Sequence, residues 1–255
     1  MPAVVNLCRY PIKGLSPELL GTLSLSSNDG LSHDREFALA LGTTVFDASN
    51  PLPLDKGFFL MLRANEQLAA LDVHLDCETG DVRIGQPGGS AIEANLLTKD
   101  GAARVEEFFE TYIGAACKGR PKLVHAKEHK FTDGSVLSPA LMRAVSLINL
   151  ASVRALEEKI GTPINPLRFR GNIYVDGLDP WQELDWVDQE IKIGQIRFRG
   201  LARTPRCGAV NVNPETARRD ANLPKAISRH FGHVDLGIYL EVLSDGDIHV
   251  GDPLG

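Results

Sequence analysis

The chain has 255 residues, of which 43% are hydrophobic and 24% are charged, and its formal net charge is −6 at pH 7. At roughly 100–200 residues per domain, this length accommodates one large or two small domains. The negative charge disfavours non-specific binding to the phosphate backbone of nucleic acids. No apolar run approaches the roughly 20 residues that cross a bilayer, and the first residues lack the features of a signal peptide. We therefore predict a cytoplasmic protein that binds neither nucleic acid nor membrane.

The first hundred residues are predicted to form short strands, because turn-forming residues separate their apolar or alternating segments. The predicted strands are residues 3–7, 20–25, 37–41, 58–62, 68–75, 82–85 and 91–95. Many short strands joined by regular turns are typical of a β-barrel or a sandwich. The sequence thus predicts a β-barrel-like domain over residues 1–100.

The pattern changes after residue 100. Apolar side chains recur at helical spacing in residues 102–113, and further helices are predicted near 150–160 and 223–230. Strands are predicted at residues 171–175, 190–193, 196–200, 209–212, 237–243 and 248–250. The whole chain is therefore predicted to be strand-dominated α+β, with a second domain over residues 101–255.

The cysteines are Cys8, Cys77, Cys117 and Cys207, which lie far apart without a Cys-x-x-Cys pair. Structural zinc sites and iron–sulfur clusters draw on closely spaced thiolates, so the sequence predicts neither. A disulfide framework is not expected in a large chain without a secretion signal. Most of these cysteines are expected to be buried small hydrophobic residues.

Cys207 differs from the other cysteines in its neighbours. It follows Arg206, lies four residues after Arg203, and stands between Pro205 and Gly208, which favours a loop. Nearby cations stabilise a thiolate, and the thiolate is the form that binds a metal ion. The local sequence equally allows a buried structural cysteine, because free cysteine is among the most buried residue types.

Three further segments carry basic residues suited to an anion. In Arg-Phe-Arg-Gly-Asn at 168–172, Arg170 is able to grip a phosphate through two parallel hydrogen bonds. Lys13 lies in a predicted turn, and Arg35 enters a predicted strand. Each segment alone is weak evidence, because surface lysines and arginines are usually solvated charges.

Together these segments resemble the MOSC family, which is named for the C-terminal domain of molybdenum cofactor sulfurase. The likeness is to proteins similar to the mitochondrial amidoxime-reducing component and its bacterial relatives, and it covers nearly the whole chain. The motifs are Tyr-Pro-Ile-Lys at 10–13, Gly-Leu and Asp-Arg within 30–35, Phe-Arg-Gly-Asn-Ile at 169–173, Trp, Glu and Asp-Trp within 181–186, Ile-Gly at 193–194, Arg-Cys at 206–207, Val-Asn-Pro-Glu-Thr at 212–216 and Val-Gly-Asp-Pro at 250–253. Their order and spacing favour the metal-ligand interpretation of Cys207.

The resemblance implies an N-terminal β-barrel-like domain and a MOSC β-barrel domain, with a molybdenum cofactor (Mo-molybdopterin) between them. Cys207 would be the catalytic residue and the metal ligand. The residues that would bind the cofactor are Lys13, Arg35, Arg170, Asn172 and Arg206. The implied activity is that of a molybdenum-dependent oxidoreductase, which reduces small N-hydroxylated substrates by oxygen-atom transfer to molybdenum. Since the chain lacks a four-cysteine ferredoxin-like extension, electrons would come from a separate electron-transfer protein.

Two alternatives remain open from the sequence. The chain could be a non-catalytic carrier of molybdenum cofactor or sulfur on Cys207, or a two-domain barrel that binds a partner without metal. No segment is suited to generating the sulfur itself, and pyridoxal phosphate is not expected to bind. Two departures from the family pattern affect the site. Gly14 stands where relatives often carry a small hydroxyl residue, and Thr204-Pro205 replaces a more polar pair.

Overall fold

A computed structural model describes residues 1–89 and 91–255 of the chain. Over these residues the fold is strand-dominated α+β, as predicted. The strands are β1 (Ala3–Arg9), β2 (Glu18–Leu20), β3 (Thr22–Ser26), β4 (Gly30–Leu31), β5 (Phe37–Ala40), β6 (Asp72–Leu75), β7 (Asp81–Gly85), β8 (Ile92–Asn95), β9 (Lys122–His125), β10 (Val145–Asn149), β11 (Ile173–Asp176), β12 (Glu190–Ile193), β13 (Ile196–Pro205), β14 (Asp235–Val242) and β15 (Gly246–His249). The helices are α1 (Lys99–Ile113), α2 (Pro139–Arg143), α3 (Leu150–Ile160) and α4 (Leu223–Phe231).

The largest sheet is curled and has seven strands in the order β12-β13-β14-β10-β11-β1-β2. Its pairs are antiparallel except for β10 and β11, which run parallel. Successive residues of a strand point to opposite faces, so Leu147 packs into one core cluster and Ile148 into another. The first cluster also holds Phe198, and the second is closed by α3 and α4 through residues such as Leu156. Both faces of the central strands are therefore buried.

A separate core cluster lies around the smaller sheet β6-β7-β8 and helix α1. Val105 and Phe109, both on the buried face of α1, pack with Leu39, Val73 and Ile84. The helix starts at Lys99, three residues before the predicted start. Its N-cap is Thr98, whose side chain accepts a hydrogen bond from Gly101 N at 3.1 Å.

Two predicted strands are wrong, and a third, residues 68–75, is shortened to β6 because residues 68–70 belong to the 3-10 helix Glu66–Ala70. Residues 209–212 lie largely in a 3-10 helix, Gly208–Asn211, that follows Cys207 directly. Residues 58–62 begin in the 3-10 helix Lys56–Phe58, which Asp55 caps, and then continue as extended chain with an isolated bridge between Ala40 and Phe59. Short apolar runs do not distinguish a strand from a turn by periodicity, and here the adjoining Asp-Lys-Gly and Cys-Gly steps favour the turn.

Strand pairing crosses the predicted domain boundary near residue 100. Strands β1 and β2 join β10–β14 in the large sheet, and β5 pairs with β9. The boundary stays a prediction. This interleaving brings loops from the first hundred residues beside loops from the second part of the chain, where the candidate site lies.

Candidate functional site

A cavity of about 500 Å³ opens between the two parts of the chain. Its lining includes all the residues that the sequence proposed for the site, namely Lys13, Arg35, Arg170, Asn172, Arg206 and Cys207. A more open depression of about 610 Å³ beside β6–β8 is lined by none of them. The structure thus gathers residues that span nearly the whole sequence.

The large sheet forms one wall of the cavity through a row of residues on three strands and just before the start of a fourth. Ala202 on β13 lies opposite Tyr239 on β14, and Tyr239 lies opposite Ser146 on β10. Asn172, just before β11, donates its backbone N–H to Ser146 O at 2.8 Å. All four line the cavity. The register of the sheet therefore fixes the order of these side chains along the wall.

The Asn172 side chain is buried and makes its hydrogen bonds to the protein. Its Nδ2 donates to Cys8 O at 3.2 Å and to Asp34 Oδ1 at 3.1 Å. Its Oδ1 accepts from Ser146 N and Ser146 Oγ, both at 3.1 Å, and from Arg35 Nη1 at 3.3 Å. Asn172 therefore orients Arg35 and joins the sheet wall to the loop before β5.

Arg35 and Arg170 stack against the same aromatic ring. Their guanidinium carbons lie 4.4 and 4.3 Å from the centroid of Tyr10. Both residues have left-handed backbone conformations, with φ of 51° and 53°, which are uncommon outside glycine. Arg35 donates to Arg170 O at 3.0 Å and pairs with Asp34. The strained backbone holds both side chains at the cavity.

Arg170 and Arg206 carry charges that the described residues leave without a carboxylate partner. Arg170 donates to Leu15 O at 2.9 Å, and Arg206 donates to Leu236 O at 2.7 Å and Phe169 O at 2.8 Å. Burial lowers the pKa of both guanidinium groups. An unneutralised buried charge is costly, so this part of the cavity suits an anionic ligand.

An ion cluster of one aspartate and two lysines lies on the same cavity lining. Asp133 accepts from Lys13 Nζ at 2.6 Å and from Lys56 Nζ at 3.0 Å. Burial alone would raise the pKa of Asp133, but the two ammonium groups hold that pKa well below its usual range. Burial lowers the pKa of Lys13, and Asp133 opposes this effect. Neither Asp133 nor Lys56 was singled out by the sequence.

Cys207 lies at the start of its 3-10 helix and is partly buried. The ammonium group nearest its sulfur belongs to Lys56, whose Nζ lies 3.9 Å from Sγ. Arg203, which the sequence placed beside Cys207, instead donates to Leu184 O at 3.0 Å and faces Asp185. Arg206, which the sequence also placed beside Cys207, does line the cavity with it. Sequence proximity missed Lys56, which is 151 residues away in the chain.

Two buried polar atoms on lining residues lack hydrogen-bond partners within the described part of the chain. They are Thr204 Oγ1 and Arg168 Nε. Native proteins leave few such groups unsatisfied, and a bound ligand is one explanation. Together with the unpaired guanidinium charges and a soft thiol ligand, they fit a polar, anionic, sulfur-coordinated group such as a molybdenum cofactor.

Residues 126–255 match the family model of the MOSC domain. The chain belongs to the MOSC family. It is 28% identical over 276 residues to molybdenum cofactor sulfurase of Anopheles gambiae, covering 96% of this chain and 35% of that protein. It is 27% identical over 147 residues to mitochondrial amidoxime-reducing component 1 of Xenopus laevis, covering 53% of this chain and 42% of that protein. The chain thus spans about a third of the sulfurase.

Among solved structures, the YuaD protein of Bacillus subtilis is similar to this chain. The alignment covers 100% of this chain and 94% of the YuaD chain, with 13% sequence identity and a TM-score of 0.44. Within residues 1–89 and 91–255 of this MOSC protein, no helix combines the length and apolar character required to cross a bilayer. The family and its relatives connect the chain to the molybdenum cofactor.

Proposed function

We propose that this MOSC protein binds the molybdenum cofactor in its cavity, with Cys207 as the protein's metal ligand, and reduces small N-hydroxylated compounds. One observation carries the proposal: Cys207 shares a cavity with the buried guanidinium groups of Arg170 and Arg206, which have no carboxylate partner among the described residues. The relatives support the cofactor, and the amidoxime-reducing component supports the reaction class.

The side chains have distinct roles in this proposal. Arg170 and Arg206 bind the anionic part of the cofactor, and Lys13 contributes a third positive charge. Arg35 is oriented by Asn172 and holds the loop that carries Arg170. The bound cofactor would supply the redox chemistry that removes the oxygen atom from an N–O bond. The protein supplies binding, orientation and a partly enclosed site.

The reducing electrons come, in this proposal, from a separate electron-transfer protein in the cytoplasm. Among the residues that the structure describes, no group of three or more histidine, cysteine or acidic side chains is arranged to hold a second metal. A chemical reductant serves in place of this external donor in vitro.

A carrier of cofactor or sulfur is the second candidate function. It is favoured by the relatives named molybdenum cofactor sulfurase, several of which match over more than 90% of this chain. The partial burial of Cys207 inside a cavity favours the enzyme, because a carrier must present its sulfur to a second protein. The two functions are distinguished by substrate turnover, which is expected of the enzyme and not of the carrier.

The test is expression in a host that makes the cofactor, followed by elemental analysis and an activity assay. The enzyme is expected to hold about one molybdenum per chain and to reduce benzamidoxime with dithionite-reduced viologen as donor. Cys207→Ser is expected to lose metal and activity, while Cys77→Ser, outside the cavity, keeps both. Full metal content and activity in Cys207→Ser would refute the ligand assignment. Bound molybdenum without turnover would favour the carrier.

A further inference from the structure

Part of the cavity lining is apolar and has no role in binding an anion. It includes Met61, Leu137 and Leu141. Leu137 is 72% exposed, and the adjoining Val136 is 44% exposed. A single exposed leucine is normal on a protein surface. Here, however, the exposed side chain lines the same cavity as Cys207, and Met61 and Leu141 line it too. We call Met61, Leu137 and Leu141 the apolar wall.

The apolar wall stands on a fixed turn. Leu137 N donates to Gly134 O at 3.0 Å, and Ser138 N donates to the same carbonyl at 3.3 Å. Ser138 then caps α2, its Oγ accepting from Leu141 N at 3.1 Å. A Cβ at Gly134 would collide with the carbonyl of Leu141, so the turn packs directly against α2. Leu137 is therefore exposed because a hydrogen-bonded turn presents it at the cavity.

We propose that Met61, Leu137 and Leu141 bind the apolar body of the substrate, so that the protein prefers N-hydroxylated compounds with an aryl or branched alkyl group. This inference rests on the proposed function, since it assigns the substrate class of the same cavity. Burial of apolar surface is favourable in proportion to its area, so an aryl group gains more from this wall than a methyl group does.

The apolar wall is suited to a small molecule because it lies inside a cavity. The three side chains belong to the lining of a cavity of about 500 Å³, which is within the size range of small-molecule sites. In the proposed function the cationic groups and Cys207 hold the cofactor in the same cavity. A substrate with a polar N–O head and an apolar body would therefore place its head at the cofactor and its body against the wall.

The test compares benzamidoxime with acetamidoxime, which share the reacting group and differ in the apolar body. Leu137→Ser is expected to raise KM for benzamidoxime about ten-fold and to leave kcat unchanged, because it removes binding that is equal in ground and transition states. KM for acetamidoxime is expected to change by about two-fold or less. The matched control is Leu19→Ser, which replaces a 60% exposed leucine outside the cavity lining.

A second measurement does not depend on turnover. Dissociation constants of both compounds are measured by ligand-observed NMR on the purified wild-type protein and the Leu137→Ser variant. A selective loss of benzamidoxime affinity supports the apolar wall, even where neither compound is reduced, and in that case the proposed function alone fails. Equal losses for the two compounds, or no loss for either, would overturn the assignment of the wall.

Discussion

At the residue scale, the cysteines differ in burial and in thiol pKa: Cys8 and Cys117 are buried, whereas Cys77 and Cys207 are partly exposed. Burial raises the pKa of Cys8 to about 12 and that of Cys77 to about 11, and Cys117 is buried. Thiols in these environments react slowly because the thiolate is the nucleophile. We expect Ellman's reagent to modify one thiol in the native apoprotein within minutes, and four after denaturation. The Cys207→Ser variant should lose the fast native reaction, whereas persistence of that reaction would place the reactive thiol elsewhere.

Glu36 joins two histidines beside the site. His125 Nε2 lies 3.1 Å from Oε1, and His33 Nδ1 lies 2.8 Å from Oε2. The hydrogen bond from His125, aided by that from His33, lowers the pKa of Glu36 to about 2. In the unfolded chain a glutamate titrates near pH 4.3. The stabilisation is therefore complete above about pH 4.3 and disappears as the pH falls through about 2.

The Glu36→Gln variant tests this stabilisation. Its Tm is expected to lie below that of the wild type at pH 6, with the difference shrinking as the pH falls from about 4 towards 2. Scanning calorimetry across this range measures the effect, and Glu158→Gln, on the exposed face of α3, serves as the control. A Tm difference that does not change with pH would show that the charge of Glu36 has no part in it.

At the element scale, Gly200 allows the 3-10 helix Gln182–Trp186 to pack against β13. A Cβ at this position would collide with the carbonyl oxygen of Trp186, while the Gly200 backbone pairs with Asp188 and Gln189 at 2.9 and 3.0 Å. Gly200→Ala is expected to lower the free energy of unfolding by about 1–3 kcal/mol, the usual cost of overpacking. Urea denaturation measures this change. Gly21→Ala, which has open space around it, should change it by less than about 1 kcal/mol.

Helix α3 was predictable from the sequence at both of its ends. Helix α3 runs over Leu150–Ile160 as predicted, because Asn149 caps its start and Gly161 ends it in a left-handed conformation. Strand β10 was missed, since Val145–Asn149 is buried on both faces and runs directly into that helix. A continuous apolar run shows no alternation to mark a central strand.

The cavity was predictable only in part. The motifs at 10–13, 30–35, 169–173 and 206–207 identified residues that line it, namely Lys13, Arg35, Arg170, Asn172, Arg206 and Cys207, whereas the other motifs contribute none to the described lining. The contact between Lys56 and Cys207 could not be predicted, since it depends on how the loop before the Lys56–Phe58 turn folds back over the sheet. Local sequence indicated Arg206, which lines the cavity with Cys207, and Arg203, whose side chain turns towards Asp185.

At the scale of the whole molecule, charge is distributed unevenly. The chain carries a formal net charge of −6, yet Asp133 is the one carboxylate in the described cavity lining, which holds Lys13, Lys56 and several arginines. The net negative charge of the protein repels anions at long range, and salt screens charges that are more than a Debye length apart. The cationic cavity therefore attracts an anion only at close range. Such a cavity favours a specific anionic ligand over non-specific binding to polyanions.

The two predicted domains share their largest sheet, which makes their independence testable. Strand β1 lies between β11 and β2, and its Val4 and Leu7 are buried in the same cluster as Leu147 and Ile173. Residues 101–255 alone would expose this apolar surface and an unpaired edge of β11.

We expect the fragment of residues 101–255 to lack a cooperative thermal transition by circular dichroism. Co-expression with residues 1–100 should restore a single transition, because β1 would again cover the β11 edge. A fragment 101–255 that folds cooperatively by itself would show that the first hundred residues are dispensable for the sheet, and that the predicted boundary separates independent folding units.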